Sequence, residues 1–182
     1  MILKGEKCIS PKCSMVKRPY APGQHGQSFH GKISEYGKQL REKQKAKRIY
    51  GISESQFRNY AKKAAGQEGN SSLNLLRLLE TRADNIVYRI GLASSRSHAR
   101  QLVSHGFFKI KGKRVNVPSI NLLAGDELSP HKKLTDEQFM ANVPSWIDYS
   151  KKNNTAKIVH LPERDEIDTL INENIIIEFY SR

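Results

Sequence analysis

Between Ser94 and Arg100 the chain gathers Ser94, Ser95, Arg96, His98 and Arg100, residue types that hold a phosphate group. If a helix opens after Ser95, its free backbone N–H groups and the positive end of its dipole favour the same anion. Arg96 and Arg100 lie one helical turn apart and share a face. A little further on, Lys109, Lys111, Lys113 and Arg114 crowd a second short stretch. A helix N-terminus beside a basic hairpin suits the backbone of folded RNA, whose deep major groove side chains cannot read. A DNA-binding helix-turn-helix is the competing reading, with the second helix as the reader. Against it, most of the positive charge lies outside the helix pair and no dimerisation segment is recognisable.

Cys8 and Cys13, with four residues between them, offer half of a tetrahedral zinc site, which takes four Cys or His ligands. His25 and His30 are the nearest residues that would complete it, although His25 also sits in a basic, Pro/Gly-rich stretch suited to RNA. Zinc is expected only if an upstream Cys pair or a nearby His completes the site, and no other cofactor is expected. Two cysteines are too few for a disulfide scaffold and suit reduced thiols. Catalysis finds no candidate: there is no Gly-rich phosphate loop followed by Lys-Ser/Thr, no His-Glu-x-x-His and no nucleophile elbow. The acidic group Glu163, Asp165, Glu166 and Asp168 reads as a solvated loop or a surface for a basic protein neighbour. The chain is expected not to be an enzyme.

The elements that must position these residues are legible in part. Residues 1–34 hold Pro11, Pro19, Pro22 and four glycines without helical or strand period, so they cannot bury a core and should order on a partner. The spacing predicts a helix from Glu35 to Tyr50 stopped by Gly51. Ser53 and Gln56 read as a capping box for a helix reaching Ala65. Leu73 to Leu79 form a densely apolar helix, and Thr81 with Asp84 reads as the start of another, closed by Gly91. Ser94 or Ser95 caps a helix from Arg96 to Ser104. Period two then sets in: Phe108 and Ile110, a turn at Gly112, Val115 and Val117 predict a tight hairpin. Gly125-Asp126 makes a further turn. Trp146–Tyr149 and Ala156–Leu161 read as a second hairpin, and Asn172–Tyr180 as a helix.

The charge is distributed to match. The 182 residues carry 31 Lys plus Arg against 18 Asp plus Glu, a net charge of +13. Residues 1–66 hold 15 basic and 4 acidic residues, 67–114 hold 9 and 3, and 115–182 hold 7 and 11. Solubility alone needs a net charge of about 2 to 8 on a small domain, so the basic N-terminal part points to a polyanionic partner. A membrane surface fits poorly, because the basic helix offers only Tyr36, Leu40, Ala46, Ile49 and Tyr50 as non-polar members, not the wide apolar face such a helix needs. No stretch approaches the roughly 20 apolar residues of a membrane span, and no apolar leader is visible. A soluble cytoplasmic protein that binds nucleic acid is expected.

The run Arg82–Gly91, followed by Ser95-Arg96, Ala99–Val103, His105-Gly106 and Gly112–Val115, resembles the RNA-binding module named after small-subunit ribosomal protein four. That module also occurs in pseudouridine synthases and in an appendage of a tyrosyl-tRNA synthetase. The flanks narrow the resemblance. Lys17–Gly26, Leu40–Lys45, Arg48–Glu54 and the terminal Ile177–Arg182 are similar to the bacterial-type ribosomal protein family itself, so the likeness covers nearly the whole chain.

The resemblance implies a structural, primary rRNA-binding component of the small ribosomal subunit. It would recognise a multi-helix rRNA junction as a single copy, nucleate assembly of the subunit body and influence translational accuracy where mRNA enters. Small-subunit ribosomal protein five is the implied protein partner. The ribosome would be cytoplasmic, with an organellar one as the second reading, and a free-standing RNA-binding regulator is the alternative function. Zinc-binding members carry a further Cys pair upstream of the one at Cys8 and Cys13. The fold class expected is α+β: a mainly helical N-terminal domain with a basic extended N-terminus, and an inserted helix-pair and β-hairpin module with a small antiparallel sheet. The division would be an arm at 1–34, a helical domain at 35–80 with 166–182 packing back on it, and an α+β domain at 81–165 containing the module at 82–128.

Charge, motif and expected geometry together assign RNA contacts. They fall on Lys4, Lys12, Lys17, Arg18, Tyr20, Gln24 and His25 in the arm, and on Lys38, Arg41, Lys43, Lys45, Lys47, Arg48, Tyr50 and Arg58 in the helices. In the module they fall on Arg82, Ser95, Arg96, His98, Arg100, Gln101, His105, Lys111, Lys113 and Arg114. An aromatic such as Tyr20 can stack on a base.

Overall fold

Side-chain caps decide where the N-terminal helices begin. In a computed structural model, which describes residues 3, 5–8, 10–28, 32–132 and 142–181, the Ser34 hydroxyl accepts the Gly37 N–H at 3.2 Å and opens α2 (Glu35–Tyr50). Gly51 closes it at φ 64°, ψ 35°, a left-handed conformation that costs glycine nothing. Ser53 accepts from Gln56 N–H and opens α3 (Glu54–Ala65). Asn70 accepts from Ser72 N–H at the head of α4 (Ser71–Glu80), and Asn172 from Ile175 N–H at the head of α7 (Glu173–Tyr180). Before them the arm forms only a 3-10 turn, Gly5–Cys8, and one helical turn, α1 (Ser14–Lys17), with no buried residue in α1.

The apolar faces of these helices meet in one core of Ala46, Tyr50, Phe57, Tyr60, Leu75 and Leu79, completed by Ile171 and Ile176 from the C-terminal segment. Helix α7 therefore packs on α2, α3 and α4. Glu54 ties three of them together. Its carboxylate accepts from Lys43 Nζ at 2.7 Å, the Tyr180 hydroxyl at 2.9 Å and Lys47 Nζ at 3.2 Å. Partial burial pushes this carboxyl up, but the hydrogen bonds from Lys43, Tyr180 and Lys47 and the Lys43 charge outweigh it and hold it down, from 4.5 to about 2. A depressed pKa stabilises the fold fully above 4.5, and the contribution fades as pH falls towards about 2. Glu54→Gln is expected to flatten the acid limb of the stability profile in that window, followed by circular dichroism during acid titration. An acid limb identical to that of the parent would show that the carboxylate gains nothing from these donors.

A second core lies under a five-stranded antiparallel sheet of order β2-β1-β3-β5-β4. The strands are β1 (Phe108–Ile110), β2 (Lys113–Val115), β3 (Glu127–Pro130), β4 (Ile147–Ser150) and β5 (Thr155–Ile158). Alternation puts Phe108, Ile110, Leu128, Ala156, Ile158 and Ile147 on the face that meets α5 (Ala83–Arg89) and α6 (Arg96–Ser104), where Ile86, Val87, Ala99, Val103 and Trp146 close the core. The α+β class expected from the sequence is the one found. The β1–β2 turn has positive φ at both central residues, 51° at Lys111 and 76° at Gly112, which matches the right-handed twist of the strands it joins.

Three local expectations are corrected. Thr81 does not open α5: it closes α4, its hydroxyl donating to the Arg77 carbonyl at 2.8 Å. Asp84 is not a cap either, because its carboxylate faces the Arg82 side chain. The first N–H groups of α5 are instead satisfied by loop carbonyls, Ala83 N–H on Ile120 at 2.8 Å and Asp84 N–H on Pro118 at 3.2 Å, so no side-chain cap is needed. Those same loop contacts end β2 at Val115, leaving Val117 exposed. The last strand likewise stops at Ile158 rather than Leu161.

Candidate nucleic-acid interface

The arm presents most of its described polar residues to solvent. Lys12, Lys17, Arg18, Gln24, His25 and the edge of Tyr20 are exposed, and none of these side chains is held by a hydrogen bond or ion pair among the described residues. Lys4 lies outside the described residues, as does His30. The arm is nonetheless anchored. Gly5, at φ 58°, lies so close to the α5–α6 turn that a Cβ there would stand 2.3 Å from the Ser94 carbonyl oxygen. At Gly26 a Cβ would meet the Ala21 carbonyl at 1.8 Å, so the Pro/Gly-rich turn closes only around glycine.

On α2 the expected cations separate into two groups. Arg41 and Arg48 are exposed and unpaired among the described residues, as is Arg58 on α3. Lys38 pairs with Glu35 at 3.2 Å on the exposed surface. Lys45 pairs with Glu42 at 3.0 Å and Lys47 with Glu54 at 3.2 Å, both only half-buried. Lys43 is a correction, because the structure buries it: its ammonium sits on Glu54 and lies 4.4 Å from the Phe179 ring centre. Tyr50 is buried as well, its hydroxyl donating to Glu80 at 2.6 Å. Sequence periodicity could not show this, because the acceptors arrive from other helices.

In the module, Arg82 is the largest departure. It is fully buried, bidentate to Asp84 at 3.0 and 2.6 Å, with Nη1 donating to the Tyr60 hydroxyl at 2.8 Å. It joins the two cores and is closed to solvent. Ser95 caps α6 through the His98 N–H, and His98 Nδ1 lies 3.3 Å from the Ser94 hydroxyl. Arg100 is exposed and reaches across to the end of α2, donating to the Gly51 carbonyl at 2.9 Å. Gln101, His105, Lys113 and Arg114 are exposed. Lys111 is exposed but paired with Asp126 at 2.7 Å. The Arg114 guanidinium is laid over Gly106, where a Cβ would stand 2.5 Å from Nε, so the hairpin reaches back to the end of α6.

Three basic residues outside the sequence-assigned set join this face. Lys109 stands directly opposite Arg114 in the β1–β2 register, and Lys132 donates to the His105 carbonyl at 3.3 Å. His131 lies among them: partial loss of solvent, then the charges of Lys109, Arg114 and Lys132, push its imidazole below the ordinary value. Lys109 was visible as part of the basic hairpin, whereas His131 and Lys132 follow β3 and come close only through sheet pairing.

The cysteines do not make a zinc site from the described residues. Cys8 and Cys13 are both half-buried thiols, His25 is exposed on its turn, and among the described residues no three His, Cys, Asp or Glu side chains are gathered as a metal would require. The acidic group is occupied structurally. Glu163 and Glu166 cap each other across the 3-10 turn Arg164–Glu166, and Glu166 also accepts from Ser145 and meets His160.

Comparison with known proteins agrees with this geometry. The family profile described as ribosomal protein S4/S9 N-terminal domain matches residues 1–80, and that described as S4 domain matches residues 81–128. The small ribosomal subunit protein uS4 of Pelotomaculum thermopropionicum is 50% identical over 191 residues, covering 100% of this chain and 91% of the relative. The uS4A protein of Alkaliphilus metalliredigens and the uS4 protein of Dictyoglomus thermophilum are each also 50% identical, with the same coverage. A likeness of this strength along its whole length, with both profiles falling in chain order on the helical and the module halves, means that the chain belongs to the uS4 family of small-subunit ribosomal proteins.

Proposed function

We infer that the chain is a structural, non-enzymatic component of the small ribosomal subunit and that it binds small-subunit rRNA across both halves of the molecule. The observation that carries the reading is the crowding of like charge on one face: Lys109 opposite Arg114, with Lys132 and a proton-averse His131 beside them. Like charges directly opposite in a sheet are destabilising, and phosphates relieve that repulsion. Arg100, bonded to Gly51, continues the face to the end of α2 and its exposed Arg48. The arm supplies Lys12, Lys17, Arg18, Tyr20, Gln24 and His25 on an anchored but open segment whose side chains face solvent. The contacts proposed are therefore these together with Arg41, Arg58, Ser95, Arg96, His98, Gln101, His105, Lys113 and Arg114. Lys38, Lys45, Lys47 and Lys111 would have to exchange their carboxylate partners for phosphate. Lys43, Tyr50 and Arg82 act in the interior.

Membership of the family supports the finer reading: a primary binder of a multi-helix rRNA junction, one copy per bacterial-type cytoplasmic ribosome, nucleating the subunit body. Influence on decoding where mRNA enters and contact with ribosomal protein five belong to the same proposal. So does a division into an arm at 1–34, a helical unit at 35–80 with 166–182, and an α+β unit at 81–165, which the two separate cores support.

Titration of the purified protein against protein-free small-subunit rRNA and an unrelated structured RNA of matched length, at several salt concentrations, tests the reading. Preference for the rRNA that survives competitor is the expected result. Equal, salt-labile binding to both would replace the ribosomal role with a general RNA-binding one.

A further inference from the structure

Glu80 is completely buried at the end of α4, yet it is surrounded by donors from two other helices. The Tyr50 hydroxyl of α2 donates at 2.6 Å, Asn85 Nδ2 of α5 at 2.7 Å, and Arg89 Nε and Nη2 of α5 at 3.0 and 2.8 Å. The Arg89 guanidinium neutralises the carboxylate within the interior. Asn85 is thereby locked: one side of its amide is held by Glu80, through both the carboxylate and the backbone carbonyl at 3.0 Å. Its free oxygen, Oδ1, accepts from Arg96 Nε at 2.8 Å. The Arg96 guanidinium also lies over the rings of Tyr88, at 4.5 Å, and Tyr50, at 5.2 Å. Its two terminal nitrogens have no acceptor among the described residues, which leaves a planar pair of donors beside the head of α6.

We propose that Asn85, oriented by buried Glu80, is a positioning residue for Arg96, fixing the guanidinium by Nε so that its terminal nitrogens are set for an rRNA phosphate. This rests on the reading of Arg96 as an RNA contact. The device acts because a guanidinium whose plane is already fixed loses less side-chain freedom on meeting a phosphate than a free one does. Asn85 itself is buried, so its assigned role is to hold Arg96 and not to contact RNA.

A double-mutant cycle in the full-length protein, read as affinity for protein-free small-subunit rRNA, tests it. Asn85→Ala is expected to weaken binding about 5-fold when Arg96 is present and less than about 2-fold in an Arg96→Ala background, a coupling that independent sites do not show. Arg96→Lys keeps the charge but has no nitrogen where Nε meets Asn85, and it is expected to bind nearly as weakly as Arg96→Ala. Because it changes only a half-buried side chain, it keeps the test available if Asn85→Ala does not fold. Equal losses from Asn85→Ala in both backgrounds, or an Arg96→Lys protein that binds like the parent, would overturn the positioning role while leaving Arg96 as a contact. An Arg96→Ala protein with unaltered affinity would remove the contact itself, and the positioning role with it.

Discussion

Replacing Arg96, Arg100, Lys113 and Arg114 together by alanine is expected to reduce the slope of log affinity for small-subunit rRNA against log salt by about 3. Each neutralised phosphate contributes roughly 0.7 to 0.9 to that slope through counterion release. Affinity should fall at every salt concentration, most steeply at the lowest. Arg100, Lys113 and Arg114 are exposed and Arg96 is half-buried, and circular dichroism of the variant separates loss of contacts from loss of fold. Lys151 and Lys152, exposed where β4 turns into β5 at the far edge of the sheet, provide the control. Their replacement should leave the slope within error, since total charge changes but the face does not. An unchanged slope in the fourfold variant would remove the module from the interface. An equal slope loss per removed charge in both variants would reduce the interaction to net charge alone.

Glu80→Ala should lower the stability of the fold by roughly 3 to 5 kcal/mol, the usual cost of removing one partner from a buried ion pair. The change leaves Arg89, 9% exposed, with only the exposed Asp168 carboxylate at 3.6 Å, and strips Tyr50 and Asn85 of their carboxylate acceptor. By contrast, Glu163 is exposed and only 3.8 Å from Arg77, and Glu163→Ala should cost less than about 1 kcal/mol. Chemical denaturation of the two variants gives the comparison directly. Burial pushes the Glu80 carboxyl up, but Arg89, by charge and hydrogen bond, and then Arg96 and Tyr50 outweigh it and hold it below the ordinary carboxylate value. Its contribution is therefore present above that value and lost as pH falls beneath it. A Glu80→Ala protein within about 1 kcal/mol of the parent would show that the network is not ionised or not closed.

These networks explain why some residues were legible in the chain and others were not. Helix α2, its Ser34 and Gly51 ends, α3 behind Ser53, α6 behind Ser95 and the hairpin at Gly112 follow from caps and positive-φ turns a few residues apart. The basic face was equally plain, because exposed Lys and Arg cluster in the chain before they cluster in space. The start of α5 is not legible from local caps, because its N–H groups are taken by carbonyls of 118–120, more than thirty positions away. His131 and Lys132 are hidden from the sequence for the same reason, since only the β1–β3 pairing brings them to the hairpin.

What the amino-acid sequence by itself determined is thus the local and the cumulative: helix ends, strand alternation, the surplus of positive charge and the family likeness. What the tertiary structure alone decided is which of those charges are available. Lys43, Arg82 and Arg89 are as basic in the sequence as Arg41, Arg100 and Arg114. Yet the first three are held in the interior by Glu54, Asp84 and Glu80. A cation is drawn inside only where a carboxylate meets it and packing removes the water: for Lys43 and Arg89 another helix delivers the carboxylate, and for Arg82, beside Asp84 in the chain, the fold supplies the burial and the Tyr60 hydroxyl.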